Sequence, residues 1–201
     1  MLLAHRGKRP QVDATAWVAP TAVLCGDVRV GRRTCVAFGA VLVAEGQPIE
    51  IGGETIVREL ALLRSTATHP LRIGSHVLVG PHASLNGCEV EDEVFLATGV
   101  TVFHGARIGR GAEVRVNGVV HVRSVLAPGA TVPIGWVAVG DPAQILPPGA
   151  HDRIWEIQRP LDFPRVVYGL ERDPDGSVDM RELTRRVAEG LFGHREDHVE
   201  E

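Results

Sequence analysis

A chain of 201 residues with a formal net charge of −4 has room for one sizeable domain and an appendage, and it carries no overall basic surface for nucleic acid or another polyanion. Aromatic residues make up only 4% while Val, Ala and Gly are plentiful, which points to a thin, repetitive core rather than a thick layered one. Cys25, Cys35 and Cys88 form neither an even set nor a CxxC pair, no apolar run reaches the ~20 residues of a membrane span, and no signal-type stretch follows Met1, so a reduced, cytoplasmic protein that avoids the membrane is expected.

The N-terminal segment is locally basic at Lys8 and Arg9 and reads as a solvated tail. From Val18 the chain steps by six through Leu24, Val30, Val36 and Leu42, landing each time on an aliphatic residue. The register resumes at Ile51, Val57 and Leu63, and again at Ile73, Val79 and Leu85. After a one-residue slip it continues from Val90 through Leu96, Val102, Ile108, Val114, Val120 and Leu126 to Val132. A period of six is neither helical nor the simple alternation of an amphipathic strand. It predicts an all-β solenoid: each hexapeptide is one side of a triangular coil, and stacked coils bury columns of aliphatics. Glycines after the aliphatics, as in Val30-Gly31, Ile73-Gly74, Val79-Gly80 and Ile108-Gly109, are expected to permit the tight corners. AEGQPIE, after Val43, and RSTATHPLR, after Leu63, are too long for the repeat and are expected to leave it as loops.

Past Pro147-Pro148 the period ends. HDRIWEIQR predicts a short helix with Asp152 as N-cap, broken at Pro160 and Pro164. Asp179 to Phe192 predicts a second helix whose Leu183, Val187 and Leu191 stripe packs on the solenoid or on a neighbouring subunit. The closing HREDHVEE is expected to fray. The expected organisation is a β-helix domain over 1–148 and a C-terminal helical extension over 149–201.

WVAPTAVLCGDV at 17–28, the interruption after Leu42, His69-Pro70 ahead of Ile73, LNGC at 85–88 and GWVAVGDPAQIL at 135–146 together resemble the γ-class carbonic anhydrases. These belong to the hexapeptide-repeat superfamily, and the resemblance, over roughly residues 10–147, implies a left-handed parallel β-helix. It also implies a homotrimer with zinc held between adjacent subunits by three histidines. The positions of this chain that match those histidines hold Arg64, Pro81 and Asn86. The family's Arg-Gly-Asp is replaced by Val43-Ala44-Glu45, and its Gln-Asp pair by Arg58-Glu59. Proline has no ligand atom, a guanidinium is already a cation, and an amide oxygen is a poor zinc ligand by itself. Metal is therefore not expected at Arg64, Pro81 and Asn86, and no cofactor is expected.

The register also places Leu63, Leu85, Val102 and Val120 on one side of the triangle, with Arg64, Asn86, Phe103 and His121 as an outward column beside them. Arg64 is expected to fill the metal's volume and pair with Glu45 or Glu59. In an extension of this reading, Arg64, Asn86 and His82 line an inter-subunit pocket for a small anion or carboxylate. Two alternatives stand beside it. One is a hexapeptide acyltransferase using coenzyme A, with His69 as general base and His104 or His121 as weaker candidates. The other is a zinc carbonic anhydrase with ligands relocated among His69, His76 and His82, His82 standing one residue past an expected position. His69 and His82 are thus the catalytic candidates.

Overall fold

The computed structural model describes residues 1–200. Each six-residue step becomes a strand of two to four residues and a corner, and the corners turn the chain through a left-handed parallel solenoid of about eight turns. The strands stack into three faces. The first is ten-stranded and the other two are seven-stranded. The first face includes Val23–Cys25, Val41–Ala44, Leu62–Ser65 and Ser84–Asn86; the second, Ile49–Ile51 and Leu71–Ile73; the third, Ile56–Val57 and Leu78–Val79. Leu24, Leu42, Leu63, Leu85, Val102, Val120 and Ala138 stand in register up the first face. All seven are fully buried, so the expected aliphatic column is the core.

The interruptions are shorter than the sequence implied. Ile49–Ile51 and Leu71–Ile73 are strands of the second face, so only residues 45–48 and 66–70 leave the coil. The corner glycines also act differently. A Cβ on Gly31 would lie 2.7 Å from the Gly52 carbonyl carbon, and one on Gly52 would lie 2.6 Å from that of Gly74. These glycines let successive corners stack. The left-handed backbone falls two residues later, on Arg33, Glu54 and His76, at φ of 52°, 57° and 58°. Glu54 and His76 there each donate an N–H to the coil before, Glu54 to Arg32 O at 2.8 Å and His76 to Gly53 O at 3.1 Å, which helps hold a conformation that non-glycine residues rarely adopt.

The outward surfaces of the faces differ. The second carries a charge ladder, with Arg29 reaching Glu50 at 2.8 Å and Arg72 reaching Glu50 at 3.2 Å and Glu89 at 3.1 Å. The third carries Trp17, Cys35, Ile56, Leu78 and Phe95 in register, and the first carries Val23, Val41 and Leu62.

Beyond the last coil, α1 (His151–Gln158) starts from Ala150 without a side-chain cap, and Asp152 lies in its first turn rather than capping it. A helix missed in the sequence, α2 (Phe163–Tyr168), follows. Pro164, read as a breaker, sits in its first turn, where the missing N–H costs nothing. Asp179 caps α3 (Met180–Phe192) by accepting from the N–H groups of Arg181 and Glu182. Val187 and Leu191 of its stripe are exposed, so that stripe does not pack on this chain's solenoid. Of the segment expected to fray, Gly193–Glu196 forms a 3-10 turn and His198–Val199 a strand that pairs antiparallel with Leu2–Ala4, while Glu201 lies outside the described residues. The N-terminal residues thus begin the first face rather than forming a tail. Among the described residues no helix is long and apolar enough to cross a membrane.

Candidate functional site

Leu62–Ser65 alternates as a strand must: Leu63 and Ser65 are buried, while Leu62 and Arg64 face outward. Arg64 stands in register between Val43 and Asn86 on the first face, at its edge with the second. Phe103 and His121 continue the column, with ring centroids 5.8 Å apart. Arg64 Nη2 donates to Glu45 Oε1. Of the two carboxylates the sequence left open, Glu45 is therefore the partner. Glu59 lies on the edge between the third and first faces and accepts from Arg58 Nε at 2.8 Å. Asn86 Nδ2 donates to Ser84 Oγ at 3.2 Å and to Val102 O at 3.5 Å.

Pro81 and His82 belong to Glu59's edge, and the His82 N–H donates to Glu59 O at 3.1 Å. From Pro81 to Asn86 the chain crosses the whole first face, up to about 16 Å of extended backbone. Within one chain, Arg64, Glu45 and Asn86 form one half of the expected constellation. Pro81, His82 and Glu59 form the other, on a different edge. The histidines considered as relocated ligands also part company: His69 lies on the edge between the first and second faces, His76 between the second and third, and His82 between the third and first. Among the described residues they form no group of converging metal-ligand atoms. The donor set at Arg64, Pro81 and Asn86 does not fit zinc either: it supplies one cation, no side-chain ligand and one amide.

Next to Arg64 the structure brings His69, the loop histidine the sequence offers as a general base, together with the weaker candidates His104 and His121. His69 and His104 meet edge to face at 5.8 Å. Gly87 makes this approach possible, because a Cβ there would lie 2.5 Å from His69 Cβ. Phe163 of α2 packs edge-on against Phe103 at 5.6 Å and lies 6.4 Å from the His121 ring. Burial, His69 and the Arg64 charge push His104 down to about 4, and burial alone pushes His121 down to about 4. His69 is lowered by burial and by Arg123. Nδ1 of His104 and Nδ1 of His121 are buried without hydrogen-bond partners. The edge thus sets neutral imidazoles and aromatic rings beside a single ion pair. The repeat register already sets Phe103 and His121 in the column of Arg64 and Asn86, whereas His69 comes from a loop and Phe163 from α2, both outside the register.

No protein-family model matches the chain. It is 33% identical over 145 residues to the mitochondrial gamma carbonic anhydrase 1 of Arabidopsis thaliana, an alignment covering 69% of this chain and 50% of the plant protein. The chain thus spans about half the length of that relative. It is 28% identical over 187 residues to a carbonic anhydrase of Geobacillus kaustophilus, covering 91% of this chain and all of the other. Among solved structures, a putative acetyltransferase of Bacillus cereus superposes with a TM-score of 0.55 at 23% identity over 94% of each chain, which supports the fold.

Proposed function

We propose that this chain, a γ-carbonic-anhydrase-like protein of the hexapeptide-repeat superfamily, is a cytoplasmic homotrimer in which an arginine–carboxylate pair stands at the inter-subunit site in place of zinc, and that it does not hydrate carbon dioxide there. The observation that carries the reading is the Arg64–Glu45 pair, set beside Asn86 on one edge while Pro81 and His82 occupy another. The two half-sites meet only if Arg64 of one subunit faces Pro81 and His82 of the next. A threefold ring makes that contact head to tail. The surfaces support it: the charged ladder suits the second face to solvent, and the apolar columns suit the first and third faces to contact between copies.

The site is structural in the first instance. Glu45 neutralises Arg64, and the Asn86 amide donates within its own chain, so an arriving anion would have to displace a carboxylate already in place. The test is bicarbonate dehydration with added zinc, run alongside thermal melts in bicarbonate and acetate. Expected are no rate above the zinc-matched buffer and no Arg64-dependent shift. A zinc-dependent rate that is lost in Asn86→Ala overturns the reading. An anion shift lost in Arg64→Met converts the role to carboxylate binding.

Acyl transfer from coenzyme A is the competing reading. It is supported by His69, whose lowered pKa keeps it a neutral base while its Nδ1 engages Thr68 Oγ1 at 2.9 Å.

A further inference from the structure

Two strands from Arg64 on the first face, the open end of the solenoid brings together four side chains of metal-ligand type. The turn after Leu2–Ala4 carries His5, the strand Val23–Cys25 ends in Cys25, and the returning C-terminal segment delivers His194 and Asp197. One ligand atom from each lies within 4.8 Å of every other. His5 Nδ1 is 2.6 Å from Asp197 Oδ1, His194 Nδ1 is 2.7 Å from Asp197 Oδ2, and Cys25 Sγ is 3.2 Å from Asp197 Oδ2 and 3.9 Å from His194 Nδ1.

We propose that His5, Cys25, His194 and Asp197 form a structural site for a zinc-type divalent transition metal that clamps the C-terminal segment to the N-terminal coil. Two imidazoles, a thiolate and a carboxylate are a complete tetrahedral set of the ligand types that zinc takes, with no position left for water or substrate. Bonds of about 2.0–2.3 Å in that geometry place ligand atoms roughly 3.3–3.7 Å apart. To reach it, the two nitrogen–oxygen contacts would lengthen and the sulfur–nitrogen contact would close, each by less than about 1 Å, and no other pair is more than 4.8 Å apart. The His5 and His194 rings stack at 4.2 Å with an interplanar angle of 21°, and both turn Nδ1 toward the Asp197 carboxylate. His5 is 3% exposed and its Nε2 has no hydrogen-bond partner, so the buried ring is held through Nδ1 alone, the atom that would meet the metal.

The cluster has no other evident chemistry. Burial and the Asp197 carboxylate push the Cys25 thiol up to about 12, so without a cation it is not a nucleophile. The clamp explains why a charged tail is ordered at all. It joins residues 192 apart in the chain and holds His198–Val199 over the edge of Leu2–Ala4, where an open strand would otherwise invite pairing with another chain.

The test uses untagged, chelator-stripped full-length protein titrated with cobalt(II). Expected are one cobalt per chain, a near-ultraviolet thiolate-to-cobalt charge-transfer band, the intense visible bands of a tetrahedral centre, and a higher melting temperature. Cys25→Ser should abolish the charge-transfer band, and His194→Gln should weaken binding by at least tenfold. Arg64→Met should leave the spectrum unchanged, which separates this site from the one proposed between subunits. Absence of the charge-transfer band in the wild type, or its persistence in Cys25→Ser, overturns the proposal whether or not the other variants fold.

Discussion

Arg64 is 38% exposed and Glu45 27% exposed in the single chain. There, an ion pair of this kind is worth under about 1 kcal/mol. Covered by a partner subunit, the same pair behaves differently, because removing one member strands a buried charge at a cost of about 3–5 kcal/mol. Glu45→Gln is therefore expected to destabilise the assembled protein by several times the exposed-pair figure, and Glu45→Gln with Arg64→Met should recover much of that loss. Urea unfolding of both variants at fixed protein concentration measures it; a loss below about 1 kcal/mol in Glu45→Gln contradicts burial of the pair.

His104 and His121 give the neighbouring edge a pH dependence. Both hold their protons less tightly folded, at about 4, than unfolded, at about 6.5. Between these values the unfolded chain binds more protons, so stability is full above pH ~6.5 and falls as pH drops toward 4. Each ring accounts for at most about 3 kcal/mol of that fall. Denaturation midpoints at pH 7 and pH 5 should differ less in His121→Leu than in the wild type, and equal differences would contradict this assignment.

At the scale of the elements, the columns of aliphatics were legible because a buried face admits no register error over so many coils. The corner glycines were visible but their role was not. Period alone cannot separate a residue chosen for positive φ from one chosen because the next coil presses on it. Gly52→Ala distinguishes the two. Its Cβ would meet Gly74 backbone at 2.6–2.7 Å, so a loss of about 1–3 kcal/mol is expected, where a merely permissive position would gain from alanine. The short α2 was hidden by Pro164, which reads as a breaker until its first-turn place is known. The Arg64–Glu45 pairing was legible as an expectation only because the strand register puts Arg64 outward. That His69 would meet His104 depended on the path of a loop across Gly87, which no period encodes. The C-terminal segment was read as frayed because its charges have no visible partners in sequence; they lie 192 residues away, at the other end of the chain.

At the scale of the molecule, three faces of different chemistry stand on one scaffold, and a ring that buries the first and third leaves the charged second face in water. Sedimentation equilibrium should give a trimer, and a monomer at micromolar concentration would contradict that arrangement. Coenzyme A at millimolar concentration should leave the melting temperature unchanged, since a ligand that binds only the folded state must raise it; a clear rise would favour acyl transfer. The most direct test of the central claim is an anomalous difference map at the zinc edge, from crystals of the assembled protein grown with excess zinc. Expected is the Arg64 guanidinium, in the ordinary electron density of the same crystals, next to Pro81 and His82 of the partner subunit, with no anomalous zinc peak there, whatever is found at the Cys25 cluster. A zinc peak coordinated between Arg64, Asn86 and the partner's His82 would contradict the account.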